Sequence, residues 1–292
     1  MDLYSNLKQG ERGAWISILS YLVLSTVKFI AGVAGSSEAL KADALNNTTD
    51  VVASIAVLIG LRISQKPPDD NHRYGHLRAE TIASLIASFI MAVVGLQVLA
   101  DAIGSIFSED AHTPSVFTGF VALASGLVMY GVYLYNLRLA KKIGSSALRA
   151  AALDNRSDAL VSFGAAVGIA GAIFGFPVID TITALIIALL ILLAAASIFK
   201  EAVYTLTDGF DEDEGEALAH LAASVPGVIR LKDFKGRMHG NMMFIDLTVT
   251  VDPSLNVIES HRITEQIERR LQKAKPFSTV LVHIEPEIPN KP

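Results

Sequence analysis

Six apolar runs, each long enough to cross a bilayer, leave this chain few ways to fold. They fall at roughly 13–34, 40–63, 79–107, 114–140, 147–175 and 178–206, and a helix needs about 20 apolar residues to span the hydrocarbon core. Backbone groups in lipid must be satisfied within their own segment, so such runs read as transmembrane helices. The chain is expected to be a polytopic membrane protein with a soluble remainder. Hydrophobic residues make up 51% of it and charged residues only 18%. A net charge of −5 supplies no basic field to attract nucleic acid. The absence of cysteine excludes disulfides and thiolate metal sites, which argues against soft metals. Acidic residues precede the first run and no cleavage site is evident, so that run reads as a retained helix rather than a signal peptide.

Loop charges set the expected orientation. The segment Ser108 to Pro114 and the turn at Gly175-Phe176-Pro177 contain no Lys or Arg, and the first turn has only Lys41 at its edge. The opposite side collects Lys8, Arg12, Arg62, Lys66, Arg73, Arg78, Arg138, Lys141, Lys142 and Arg149. The positive-inside rule puts both termini in the cytoplasm, with the protein in the cell (inner) membrane.

From about Asp208 the composition turns soluble, dividing the chain into a membrane domain at 1–207 and a second domain at 208–292. An acidic start, Asp211 to Glu216, leads into an amphipathic helix from Glu216 to Ser224. Strands are expected at 228–238, 244–251 and 279–284, with a helix at 256–273 carrying Ile258, Ile263, Ile267 and Leu271 on one stripe. The fold class is thus an all-α six-helix membrane domain followed by a small α+β domain of αββαβ order, ferredoxin-like or metallochaperone-like.

Two of the apolar segments contain carboxylates. Asn46 and Asp50 share one helix face, as do Asp154 and Asp158, because four residues make just over one turn. Asp43 lies on the same stripe as Asn46 and Asp50. Ionisable groups at membrane depth are costly and mark ion paths or proton relays. Three carboxylates in low dielectric do not all stay ionised without a cation. A divalent ion would neutralise two charges and a proton the third, which makes metal-for-proton exchange plausible. Oxygen donors with no nitrogen or sulfur suit a hard divalent cation. The bland alternative is that these residues cap helices or sit at the interface, and Asp43 can equally be an entrance or supporting group.

The strings Ala42-Asp43-Ala44-Leu45-Asn46-Asn47-Thr48-Thr49-Asp50, His72-Arg73-Tyr74-Gly75-His76-Leu77-Arg78-Ala79-Glu80 and Asp154-Asn155-Arg156-Ser157-Asp158 resemble the cation diffusion facilitator family over nearly the whole chain. The resemblance implies a homodimer of six-helix subunits that exports divalent transition metals in exchange for protons. It maps a tetrahedral transport site onto Asn46, Asp50, Asp154 and Asp158. Zinc-transporting relatives usually carry at least one His among these positions, and this chain has none. Oxygen ligands favour manganese over the metals that imidazole prefers, so the set resembles the manganese-exporting branch. Mn²⁺ is the expected substrate, Fe²⁺ next, with zinc or cobalt weaker. Mg²⁺ dehydrates too reluctantly for a compact protein-built site.

The resemblance also implies secondary sites. Asp69 and His76 match a metal-binding pair in the loop between the second and third helices, where Asp70 and His72 are neighbours. The alternative there is a solvated loop whose histidines cap the third helix. Asp246, His261, His283 and Glu285 fall where relatives place regulatory ligands that draw the paired domains of a dimer together at high metal. His283 and Glu285, two apart on a strand, face the same side. Lys232 stands where some zinc-binding relatives have His, and His239, in an expected turn, is a possible substitute. Arg78 and Asp208 match an ion pair that joins helices to the second domain in relatives. No prosthetic group is expected, and the chain is read as a transporter rather than an enzyme. Two rival classes remain: an intramembrane aspartyl protease, which needs one proton-sharing Asp pair, and a metal-sensing scaffold that does not transport.

Overall fold

The computed structural model describes residues 3–64, 66–107, 113–143, 146–240 and 242–288; the side chains of Lys8, Arg12 and Arg149 and the turn at 108–112 lie outside the described residues. Six long helices come first: α1 (Leu3–Ala34), α2 (Glu38–Ser64), α3 (Ala79–Phe107), α4 (Val116–Ile143), α5 (Ser146–Ile173) and α6 (Val178–Leu206). Among the described residues, α1 and α3 to α6 each contain a stretch long and apolar enough to cross a membrane. α2 is 27 residues long and carries Lys41, Asp43, Asn46, Asn47 and Asp50 in its first half.

The chain divides into two compact units, Met1–Val57 with Ile86–Ile198, and Leu58–Leu85 with Phe199–Pro292. In the first, small residues allow close helix approach. Ala31, Ala42, Ala122, Ala165 and Ala188 pack with Leu40, Ile169, Ile187 and Ile191 in one buried cluster, as expected where packing rather than water exclusion holds helices together. The start of α2 is fixed by two acceptors. Ser37 caps it, its hydroxyl accepting from the Leu40 N–H at 3.1 Å. Asp180 at the start of α6 accepts from the Glu38 and Ala39 N–H groups at 2.7 and 3.2 Å and from the Ser37 hydroxyl at 2.8 Å. A carboxylate there meets the orphan N–H groups and the positive end of the helix dipole. Gly175, at φ 103°, makes the turn between α5 and α6.

The second unit contains α7 (Glu212–Ala223), β1 (Arg230–His239), β2 (Met242–Val251), α8 (Val257–Ala274) and β3 (Ser278–Pro286), the αββαβ order expected. α7 starts earlier than the expected Glu216. Asp211 is its N-cap, accepting from the Glu214 N–H at 2.9 Å, and the acidic residues form a first turn that the dipole favours. β1 and β2 pair antiparallel and β2 and β3 parallel, in the order β1-β2-β3, with α8 as the crossover that parallel strands require. Ile245, Leu247 and Val249 alternate onto the buried face, where they meet Ile263, Ile267 and Leu271 of α8 and Leu218 and Ala222 of α7. Ile258 is off this stripe and 67% exposed. It precedes Ile263 by five residues, a rotation of about 140° at 3.6 residues per turn, whereas 263, 267 and 271 repeat every four.

Candidate functional site

Asn46 joins α2 to α5. Its Nδ2 donates to Asp158 Oδ1 at 3.2 Å and to Asp50 Oδ2 at 3.4 Å. Asp158 is buried, and the Tyr21 hydroxyl of α1 donates to its other oxygen at 2.5 Å, with Asn155 Oδ1 3.0 Å from the same hydroxyl. Asn155 is fixed in turn: its Nδ2 and that of Asn136 on α4 donate to Ser17 Oγ at 3.0 and 2.9 Å. The structure therefore brings Asn46, Asp50 and Asp158 together and orients Asp158 through Tyr21 of α1.

Asp154, one turn from Asp158 on α5, has an exposed side chain. Asp50, Asp154 and Asp158 do not close as a set to within 4.8 Å. The ring of donors is thus half assembled. Turning the Asn46 amide about its axis would replace two donors with a carbonyl oxygen, and the set would then offer oxygen alone to a cation. The Asn46 amide lies between Asp50 and Asp158, and the choice between transporter and protease rests on the family of the chain rather than on this contact.

Asp43 sits apart from this contact. It forms an ion pair with Lys28 of α1 at 2.9 Å, both side chains being fully buried. Lys28 also donates to Asn47 Oδ1 at 2.5 Å and Ser162 Oγ at 2.8 Å. Neither Lys28 nor Tyr21 was singled out from sequence. A lone lysine in the middle of the apolar run Ser25 to Gly32, too deep to reach water by extension, was the available signal. Tyr21 precedes it by two helical turns on the same face.

In the second unit, the loop before α3 gathers a second cluster. Asp69 Oδ1 accepts from the backbone N–H groups of Asn71 and His72 at 3.0 and 2.7 Å, an Asx-turn. The His72 backbone bond foremost holds this carboxyl below its ordinary pKa. His72 Nδ1 lies 3.1 Å from Asp69 Oδ1 and His76 Nε2 lies 3.5 Å from Oδ2. Gly75, at φ 75°, reverses the chain so that the two imidazoles lie 4.3 Å apart. Among the described residues, Asp69, His72 and His76 are the one set of potential metal ligands whose atoms all lie within 4.8 Å. His76 Nδ1 is buried without a partner. Two imidazoles and a carboxylate fit a divalent transition metal. Asp70 is exposed and takes no part in the set. Arg78 pairs with Asp208, which adopts the left-handed φ of 60° uncommon outside glycine.

The residues expected to bind metal in the C-terminal domain are held differently. Arg237 donates to Asp246 at 2.9 Å while lying over the Phe244 ring. Lys232 donates to Glu285 at 2.6 Å, and this bond holds the Glu285 carboxyl below its usual range. His283 is 3.9 Å from Glu285, and His261 pairs only with Glu265 on its own helix. Each carboxylate thus faces a cation, and the four residues do not come together within 4.8 Å as a set. His239 is not a surface turn residue: it ends β1, is 9% exposed and packs against Phe244. Burial, then the nearby Arg78 and Arg237 charges, lower its pKa.

The chain is similar to known proteins over nearly its whole length. The family description "Cation efflux transmembrane domain" matches residues 14–207, and "Cation efflux protein, cytoplasmic domain" matches residues 210–287. Among relatives from Bacillus subtilis (strain 168), the manganese efflux system protein MneS is 54% identical over 98% of this chain and 99% of its own length. The uncharacterized transporter YdbO is 47% identical over 98% and 99%. The manganese efflux system protein MneP is 31% identical over 94% and 95%. Two family descriptions that together span the chain, and relatives matched almost end to end, leave one assignment: this chain belongs to the cation diffusion facilitator family, whose members are metal efflux transporters and not enzymes.

Proposed function

We propose that this protein exports Mn²⁺ in exchange for protons, with Asn46, Asp50, Asp154 and Asp158 as the ligands of the transported ion. The observation that carries the reading is the Asn46 amide, which ties Asp50 of α2 to Asp158 of α5. A cation that displaced this contact would find oxygen donors and no imidazole, a set that favours manganese over zinc. MneS and MneP are named for manganese efflux, which supports the same choice. Loss of the ion leaves carboxylates that accept protons, so import of protons follows from the chemistry of the site. The protein would act as a homodimer in the cell membrane with both termini in the cytoplasm. Asp69, His72 and His76 would hold a second divalent ion beside α3, and the Arg78–Asp208 pair would brace that region. We do not extend the reading to a metal held by Asp246, His261, His283 and Glu285.

The test is Mn²⁺ flux in proteoliposomes under an imposed pH gradient. Asp50→Ala should abolish flux and metal-driven proton movement together. Flux at the wild-type rate in this variant would remove the assignment. Asn46→His should shift the selectivity series toward zinc, and an unchanged series would show that Asn46 does not set it. Fe²⁺ and Zn²⁺ belong in the same series, as the alternative substrates.

A further inference from the structure

The buried Lys28–Asp43 pair lies beside the proposed ligands of the transported ion without being one of them. The ammonium donates to Asn47 Oδ1 on α2 and Ser162 Oγ on α5, and lies 2.9 Å from Asp43 Oδ2 as an ion pair, an oxygen with no hydrogen-bond partner. The Ser162 hydroxyl closes the ring by donating to Asp43 Oδ1 at 3.3 Å. One lysine of α1 therefore ties together the two helices that carry the ion's ligands. It hydrogen-bonds none of those ligands.

Its place along the helices gives it a consequence. On α2, Asp43 precedes Asn46 by three residues; on the antiparallel α5, Ser162 follows Asp158 by four. Each step is about one turn, and both lead toward the α1–α2 and α5–α6 turns. Beyond the pair on that side lie Ala39, Leu40, Ala165 and Ile169, all fully buried, and then the Asp180 cap on α2. On the other side of the Asn46–Asp158 contact lies the exposed Asp154. An ion approaching from Asp154 reaches its ligands and then meets an ammonium, where charge repulsion adds to close packing.

We propose that the Lys28–Asp43 pair is the ionic closure on the far side of the transport site, and that the metal leaves toward the α1–α2 turn only when α5 parts from the pair at Ser162. This rests on the ligand assignment above. Lys28 is a positioning residue: it holds α1, α2 and α5 in register and supplies no ligand atom.

The full chain in proteoliposomes tests this with three readouts: driven Mn²⁺ flux, proton leak without metal, and Mn²⁺ affinity. Breaking a buried pair strands a charge, so Lys28→Gln should lower driven flux about tenfold and raise leak several-fold, while affinity should not fall, because a cation beside the ligands has been removed. Ser162→Ala removes one acceptor without stranding a charge, and should show the same leak at smaller size. A role in folding alone would lower yield without producing leak. Leak-tight vesicles with wild-type flux, for every variant that purifies, would overturn the closure. So would affinity falling in step with flux, because Lys28 would then act on the ion. If Lys28→Gln does not purify, Ser162→Ala decides. Failure of the ligand assignment would be seen separately, as unchanged Mn²⁺ affinity in Asp50→Ala.

Discussion

Asp158 in the first unit and Asp246 in the second are both aspartates on regular elements, yet their partners differ in kind. Asp158 is held by a phenol and an amide, neutral groups that orient a carboxylate without discharging it. Asp246 is held by a guanidinium, and Glu285 on β3, opposite Thr250 of β2, by an ammonium. A carboxylate held by neutral donors has no resident cation to lose before an incoming one binds. One already paired with Arg or Lys must lose that partner first. Residue type alone therefore does not identify a metal site; what satisfies the charge does.

The largest expected effect attacks this contrast directly. Asp158→Asn should reduce Mn²⁺ flux by at least about a hundredfold, as removal of an intramembrane charge from an ion path does, whereas Asp246→Asn should leave it within about twofold. Flux measured in vesicles of matched protein content decides it. Equal losses would mean that the Arg237 pair gives way to metal during transport, and the distinction between the two regions would fail.

A smaller effect sharpens the contrast from the other side. If the cation is what keeps metal from the C-terminal domain, replacing it with a ligand should open a site. Lys232→His frees Glu285 and sets an imidazole beside it and His283. Zinc affinity should rise about tenfold, read by calorimetry on the full chain in an Asp50→Ala background that silences the membrane site. An unchanged isotherm would show that geometry, rather than the lysine, excludes metal there.

What was legible in the sequence follows the same division between spacing and partnership. The four-residue intervals 46–50 and 154–158 were enough to put those residues on helix faces, because helical period is a local property. The αββαβ order was legible for the same reason, and the acidic start of α7 was misplaced only because its N-cap, Asp211, lies before the apolar pattern begins. Contacts between distant segments were not legible. Tyr21 reaches Asp158 across 137 positions and Ser162 reaches Asp43 across 119, and no periodicity announces such meetings. His239 was misread as a turn residue because β1 runs to the edge of the hairpin, and nothing local shows that Phe244 covers it. Lys28 was the avoidable omission: a charge within an apolar run is visible without any structure.

The least effect is expected at Glu285, and its sign is definite. Its folded pKa is depressed, chiefly by the Lys232 hydrogen bond. It therefore contributes stability that is present above the unfolded value, about 4.3 for Glu, and is lost as pH falls through the folded value. Lys232→Met should return the Glu285 midpoint toward the ordinary value, read from its side-chain carbonyl carbon by NMR. The stability difference between variant and wild type should be present at neutral pH and close on acidification below about pH 4. Because the pair is exposed, the difference is small and salt should screen it. A Glu285 midpoint unmoved by the substitution would mean that Lys232 does not hold the carboxylate in solution. Glu285 would then be as available to a cation as the membrane aspartates, and the contrast between the two regions would rest on Asp246 alone.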